Sequence, residues 1–177
     1  RPLGWVSELV GYVATIPLVM PYRVMRATHM EHHQHTNHPE KDCDIDLHAK
    51  SGIDFLRQTL IGHQPDSRRN NAYPECLERT GQSHLMLDAV LMNSAYLVFM
   101  FAMAWSGYAI EMALLWWLPK LLGTTYLTYY LAWAPHHPGD EQGRYRDTRA
   151  FKSRFGNLIS MGMQFHIIHH LYPRIPL

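Results

Sequence analysis

An uncharged stretch of 17 residues, from Ala89 to Trp105, constrains the fold of this chain more than any other feature. A bilayer with a hydrocarbon core about 30 Å thick requires about 20 apolar residues per spanning helix. Extended to residues 85–107, the stretch reaches that length with one charged residue near its start. It therefore predicts a membrane-spanning helix.

Two further apolar stretches are candidates for spans. Residues 110–133 carry Glu111 near their start, and residues 3–22 carry one glutamate and two prolines. The link between 85–107 and 110–133 is so short that the two helices would form an antiparallel hairpin. A soluble domain of 177 residues would struggle to cover such a hairpin on all sides. We therefore predict an all-α integral membrane protein with spans at about 3–22, 85–107 and 110–133.

The basic residues predict the orientation of these spans. Residues 23–84 and 135–177 hold 14 of the 16 lysines and arginines, and the hairpin tip holds none. The positive-inside rule places both segments on the cytosolic side, where they would form a histidine-rich cap on a single domain, 1–177. Within that cap, the polar segment 63–84 is predicted to be a loop. The net charge of +1 argues against nucleic-acid binding.

Histidine is unusually frequent, at 13 of 177 residues, and six histidines form two matching H-x-x-H-H motifs. Positions i, i+3 and i+4 share one face of a helix, so each motif can direct three imidazoles at one point. Neutral imidazole is a ligand for zinc, copper, iron and nickel. The six predicted metal-ligating and catalytic residues are His29, His32, His33, His166, His169 and His170.

Two further histidines lie where the predicted hairpin ends, in Pro135-His136-His137-Pro138. Either His136 or His137 can add a seventh imidazole to the cluster. No histidine lies inside a predicted span, which argues against an ion pathway through the membrane.

The remaining candidates have open interpretations. His35 and His38 either orient ligands or are solvated loop residues, and the same two alternatives apply to the carboxylates of Asp42, Asp44 and Asp46. The other histidines, His48, His63 and His84, are expected on the surface. The two cysteines, Cys43 and Cys76, are too few for a disulfide framework.

These motifs resemble those of the membrane fatty acid desaturase superfamily, which includes carotenoid hydroxylases and ketolases. That family is recognised by three histidine boxes on the cytosolic face. Residues 29–33, followed by His35-Thr36-Asn37, resemble the second box, and residues 166–170 resemble the third. Residues 133–138 resemble the point after the fourth helix where many members place an additional histidine, and His136 is the best match.

The resemblance implies a membrane-bound enzyme that holds two iron ions and uses O2 to act on C–H bonds of a lipid, most simply in fatty acyl desaturation. It also implies a separate electron-transfer protein such as ferredoxin or cytochrome b5. The implied iron ligands are His29, His32, His33, His136, His166, His169 and His170. The sequence leaves two alternatives open: a carotenoid hydroxylase or ketolase, and a non-catalytic membrane zinc-binding protein.

One departure from the family pattern concerns its first box, H-x(3,4)-H, which is absent. The chain begins at Arg1 rather than at methionine and stops within the motif-like run 172–177. We therefore expect a chain truncated at both ends, with the first box upstream of Arg1.

Overall fold

The computed structural model describes residues 4–62, 68–151 and 153–173. No strand occurs in these ranges, which confirms the all-α class. Leu3, His63 and the run 174–177, which carry parts of the predictions above, lie outside the described residues. The α-helices are α1 (Gly4–Thr15), α2 (Tyr22–His35), α3 (Gly52–Gly62), α4 (Arg68–Arg79), α5 (Met86–Trp105), α6 (Ala109–Met112), α7 (Leu118–Leu127), α8 (Gly156–Ile159) and α9 (His166–Leu171).

Short 3-10 turns and two π-helical segments connect these helices. The π-helical segment Ala113–Trp117 joins α6 to α7, and Thr128–Trp133 follows α7 directly. Residues 109–133 are therefore one continuous helical run, in agreement with the helix predicted at 110–133. The 3-10 turns are Ile16–Leu18, Ile45–Leu47, Ser83–Leu85 and Met163–Phe165.

The chain divides into two compact units. Unit 1 comprises Arg1–Thr28 and Leu77–Thr124, and unit 2 comprises His29–Cys76 and Thr125–Leu177. Every histidine of the two H-x-x-H-H motifs belongs to unit 2.

Unit 1 contains α1, α5 and most of the helical run after it. The Tyr12 hydroxyl on α1 donates a hydrogen bond to Asp88 Oδ2 on α5 at 2.9 Å. The indole Nε1 of Trp116 donates to the Pro17 carbonyl oxygen at 2.9 Å. These two contacts tie the amino-terminal segment to the hairpin.

One helix in the described part of the chain, Ser83–Trp105, is long and apolar enough to cross a membrane. It has 23 residues and a mean hydropathy of 1.7. None of the side chains of α5 is buried within the chain, and Trp105 at its end is 93% exposed. The predicted span at 85–107 thus coincides with a helix of the required length and composition.

The stretch 3–22 is not one helix. The α-helix ends at Thr15, a 3-10 turn follows, and Val19 has a left-handed backbone with φ of 55° before α2 begins. Pro17 explains the break because proline lacks the N–H that would continue the helical hydrogen bonds. With 12 residues, α1 is about 18 Å long, and its insertion in a bilayer remains a prediction.

The loop predicted at 63–84 is wrong for most of its length because residues 68–79 form α4, with Pro74 inside the helix. The asparagines and the proline in this segment favour a turn, but tertiary contacts override that local preference. The Tyr73 hydroxyl donates to Asp44 Oδ1 at 2.9 Å. One turn further along, Cys76 forms a disulfide with Cys43, with Cα atoms 6.0 Å apart. Both contacts attach α4 to the loop that follows α2.

The core of unit 2 is small and aromatic. Phe55 on α3 is fully buried, and its ring lies 5.4 Å from that of Tyr129 and 5.8 Å from that of Trp133. The Trp133 indole Nε1 donates to the Ala49 carbonyl oxygen at 2.8 Å. This packing fixes the end of the Thr128–Trp133 segment, three residues before His136.

The first testable prediction concerns this core. Phe55→Ala should lower the free energy of unfolding by about 3–5 kcal/mol because the cavity left behind cannot refill. The control is Ile53→Ala on the same helix, where the side chain is 82% exposed and the expected change is within about 0.5 kcal/mol. Denaturant unfolding of the purified protein measures both variants, and equal losses in the two would contradict the assignment of this core.

Candidate metal centre

Two helices present the histidines of the H-x-x-H-H motifs. The first motif lies in the last two turns of α2, and the second occupies most of α9. The i, i+3, i+4 spacing brings each set of three to one helix face, as predicted. The two faces meet within unit 2, so all six imidazoles converge.

The first group consists of His29, His33 and His169. Their three Nε2 atoms form a nearly equilateral triangle: His29 to His33 is 3.0 Å, His33 to His169 is 3.0 Å, and His29 to His169 is 3.1 Å. Three ring nitrogens that point toward one centre are arranged as ligands of a shared cation.

The second group consists of His32, His136 and His170, whose ligand nitrogens lie within 4.8 Å of one another. His32 Nε2 is 3.3 Å from His136 Nε2. His166 adjoins this group, with its Nε2 3.1 Å from that of His170. His136 and His166 are 2% and 1% exposed, so this group is the more deeply buried of the two.

The two groups form one continuous cluster because the rings of His33 and His170 stack at 4.1 Å. His136 is the additional member, whereas His137 is held outside the cluster. The His137 Nδ1 lies 3.1 Å from the Ala49 carbonyl oxygen, and its ring packs 4.8 Å from that of Trp133. The structure thus brings together the seven predicted histidines, His29, His32, His33, His136, His166, His169 and His170.

The nitrogen spacing of the first group fits a metal ion. An octahedral face with metal–nitrogen bonds of about 2.1 Å has edges of about 3.0 Å, whereas a tetrahedral face has edges of about 3.4 Å. The observed edges of 3.0–3.1 Å are close to these lengths, so one ion could contact all three nitrogens. The Nδ1 atoms of His33 and His166 are buried and have no hydrogen-bond partner, so each ring can carry its proton there and offer Nε2 as a ligand.

Hydrogen bonds on the far sides of two rings determine which nitrogen carries the proton. His32 Nδ1 donates to Asp42 Oδ1 at 2.7 Å, and His136 Nδ1 donates to the Asp147 carbonyl oxygen at 3.1 Å. Both acceptors require a proton on Nδ1, so in the neutral rings both Nε2 atoms have a lone pair. Two lone pairs that face each other at 3.3 Å require a proton or a metal cation between them.

Burial makes most of these imidazoles neutral. Desolvation, reinforced by neighbouring imidazoles, lowers the pKa of His29 to about 4 and that of His33 to about 3. The pKa values of His136, His166, His169 and His170 are lowered for the same reasons. Neutral imidazole is the form that binds metal, so these rings do not need to lose a proton at neutral pH.

His32 differs from the other six. Burial lowers its pKa, but the hydrogen bond that His32 donates to Asp42 and the charges of Asp44 and Asp42 raise it, and the net direction is upward. Burial raises the pKa of Asp42, but the contact with His32 lowers it by more. The net direction is downward, so this carboxyl stays ionised. The short distance between His32 Nδ1 and Asp42 Oδ1 leaves space for a proton and not for a metal ion.

A polar cavity of about 570 Å³ opens beside the cluster. His33 and His170 form part of its wall, together with Thr36, Gln142 and Arg144. Leu171 and Pro173 add apolar surface to this lining.

The remaining predicted residues are placed as follows. His35 Nε2 lies 3.5 Å from a Glu31 carboxylate oxygen, and His38 Nδ1 accepts the backbone N–H of Glu40, so both rings make contacts outside the cluster. His84 is exposed, as expected. His48 is half-buried, which corrects its expected surface position; the cause is Gly139, whose missing side chain leaves room for the imidazole.

Two contributors escaped the sequence analysis. The Asp147 carbonyl oxygen orients His136, and a backbone oxygen has no signature in a sequence. Asn37 is buried and bonds to several groups around the cluster. In the sequence it stands out only as part of the run that follows the second histidine box, and the spacing of that run predicts no role for it.

Known proteins with similar sequences include fatty acid desaturases and a conjugase. The sn-1 oleoyl-lipid 12-desaturase of Synechocystis sp. is 47% identical over 38 residues, which cover 22% of this chain and 11% of that protein. The Delta(12) fatty acid desaturase fat-2 of Caenorhabditis elegans is 40% identical over 38 residues, 22% of this chain and 10% of that protein. The fatty acid conjugase FAC2 A of Calendula officinalis is 22% identical over 211 aligned positions, 97% of this chain and 56% of that protein.

The chain therefore spans about half the length of the conjugase, and shares only a short segment with the two desaturases. No solved structure matches it. The profile of the fatty acid desaturase family, in contrast, matches residues 1–177. A match over the whole chain, together with the histidine cluster, shows that this protein belongs to the fatty acid desaturase family.

Proposed function

We propose that this chain forms the metal centre of a membrane-bound, O2-dependent di-iron oxidoreductase that desaturates fatty acyl chains. The observation that carries the proposal is the convergence of seven buried or half-buried imidazoles, six of them in two groups that could each hold a metal ion. Family membership supports an oxidoreductase that acts on lipids, and the relatives are named for activities on fatty acids.

Imidazole donors suit both iron and zinc, so the proposal of iron rests on the resemblance to the family. His29, His33 and His169 would hold one ion, and His32, His136 and His170, with His166 beside them, would hold the other. Non-haem iron sites keep open positions for O2, and catalytic zinc is also held by three protein ligands with an open position, so metal analysis is needed to identify the ion. Two irons bound there would supply the oxidising power, from O2 and external electrons, that removal of hydrogen from an unactivated C–H bond requires.

The chain's own residues prepare the site. Asp42 and the Asp147 carbonyl keep protons on the Nδ1 atoms of His32 and His136, so that the Nε2 atoms remain available. Burial of the cluster keeps most rings neutral. The cavity beside His33 and His170 would give water and protons a route to the site.

The proposed reaction balances only with an outside electron donor. Desaturation removes two hydrogens from adjacent carbons, and with two further electrons and two protons O2 becomes two molecules of water. The sequence has no G-x-G-x-x-G dinucleotide motif. We therefore propose an electron-transfer partner such as ferredoxin or cytochrome b5.

The membrane placement of the site is part of the same proposal. The apolar helix Ser83–Trp105 would insert in the bilayer, and the distribution of basic residues favours a cytosolic position for the histidine cluster. A lipid substrate can then reach the site without leaving the membrane.

Substitution of one histidine in each group tests the proposed ligand sets. His169→Ala should lower the iron content from two ions per chain to one, and His32→Ala should do the same at the other group. Each variant should lose at least a hundredfold in turnover, because desaturation needs both ions. His84→Ala, which alters an exposed histidine outside the cluster, is the control and should change neither quantity.

Elemental analysis and product assays of the purified full-length protein measure these effects. Turnover retained in either variant would remove that histidine from the ligand set. Stoichiometric zinc in protein from iron-replete cells would favour the non-catalytic zinc-binding alternative.

The third testable prediction concerns the product. When the full-length protein is expressed in a host that makes both fatty acids and carotenoids, mass spectrometry should find fatty acyl chains lighter by two hydrogens. His33→Ala in the same host should abolish that product. Carotenoids that gain oxygen, with unchanged fatty acids, would instead identify a hydroxylase or ketolase.

A further inference from the structure

The hydrogen bonds behind His32 and His136 meet at Asn37. This residue follows α2 with a left-handed backbone, φ of 61°, a conformation that asparagine adopts more readily than most residues. It is 5% exposed. Its backbone N–H donates to Asp42 Oδ2 at 2.7 Å, and its side-chain Nδ2 donates to the Asp147 carbonyl oxygen at 3.0 Å. Asn37 thus contacts both groups that orient the two rings.

These contacts form a closed ring of hydrogen-bonding groups. His32 bonds to Asp42, Asp42 to Asn37, Asn37 to the Asp147 carbonyl, and that carbonyl to His136. The facing Nε2 atoms of His32 and His136, 3.3 Å apart, close the ring. The two histidines are 104 positions apart in the sequence, so the ring sets the relative position of two distant segments.

A second donation from Asn37 reinforces this arrangement. Its Nδ2 also donates to the Glu141 carbonyl oxygen at 2.7 Å, so both amide protons bind the loop that follows His136. On the other side, Asp42 Oδ1 accepts the backbone N–H of Asp44 at 2.9 Å, in addition to His32 Nδ1. Both oxygens of the Asp42 carboxylate therefore accept hydrogen bonds.

We propose that Asn37 and Asp42 act together as positioning residues that hold His32 and His136 in register for one metal ion. The inference rests on the proposed function, since it assumes that the second group binds metal. The ring includes no member of the first group, His29, His33 and His169. Disruption of the ring should therefore weaken one metal site and spare the other.

Asn37→Asp is the sharpest variant. Aspartate has nearly the same size and also tolerates the left-handed backbone, but its carboxylate cannot donate to the carbonyl oxygens of Asp147 and Glu141. Groups that orient metal-ligating histidines typically contribute 10–100-fold to metal affinity. We expect a loss of that size at one of two sites.

Asp42→Asn tests the other half of the ring. One oxygen becomes an NH2 group, so either the His32 side or the Asn37 N–H loses its acceptor. This variant carries the test if Asn37→Asp folds poorly. The controls are Asn157→Asp and Glu40→Gln, which make the same chemical changes at exposed positions of unit 2.

The measurement is a Co²⁺ titration of the metal-free full-length protein, followed by its visible absorption with a competing chelator. Wild-type protein and both controls should bind two equivalents. Asn37→Asp and Asp42→Asn should each bind one equivalent with unchanged affinity and the other 10–100-fold more weakly, with an altered absorption band. A merely structural role would weaken both equivalents alike, and that result would overturn the inference.

Double variants locate the weakened site. Adding Asn37→Asp to His136→Ala should cost no more than His136→Ala alone, because both act on one site. Adding it to His29→Ala should weaken both equivalents. Additive losses with His136→Ala would overturn the inference.

The Co²⁺ titration distinguishes failure of the proposed function from failure of the positioning role of Asn37 and Asp42. A wild-type protein that binds no Co²⁺ would overturn the proposed function and this inference with it. A wild type with two equivalents, and positioning variants that retain both at full affinity, would overturn this inference alone.

Discussion

The candidate metal centre depends on the close approach of imidazole nitrogens from distant segments of the chain. Three Nε2 atoms lie 3.0–3.1 Å apart in the first group, and two more face each other at 3.3 Å in the second. Each neutral imidazole carries a single proton, so only some of these contacts can be hydrogen bonds. A metal cation bound among the nitrogens could be contacted by all of them. The geometry of the cluster is thus compatible with a metal site.

The surrounding structure keeps these nitrogens in place. The α2 and α9 helices supply six of the rings at fixed helical spacing. The seventh, His136, follows a π-helical segment that ends at Trp133, where the aromatic packing on Phe55 fixes the chain. The disulfide between Cys43 and Cys76 attaches the loop that carries Asp42 to α4. Aromatic packing and a disulfide therefore hold the two segments that carry His136 and Asp42.

The sequence predicted the chemistry of the site better than its supporting structure. Helical periodicity alone places the histidines of an H-x-x-H-H motif on one face, and their convergence follows if both motifs serve one function. His136 could be separated from His137 only by resemblance, and the structure separates them through the contact of His137 with Ala49. Residue spacing thus accounts for His29 and His33 on one helix face, whereas the approach of His169 is a long-range contact.

The missed features depend on long-range contacts. Residues 68–79 read as a loop because of Pro74, yet α4 forms because Tyr73 and Cys76 bind a distant loop. The roles of Asn37 and of the Asp147 carbonyl arise only when segments more than a hundred positions apart meet. Local propensity has no access to such contacts.

Anomalous X-ray diffraction at the iron edge, on crystals of the iron-loaded full-length protein, tests the central claim most directly. The account predicts two peaks, one enclosed by His29, His33 and His169, and one beside His32, His136 and His170. A single peak, or a peak on the Asp42 and Asp44 carboxylates in place of the second group, would contradict it.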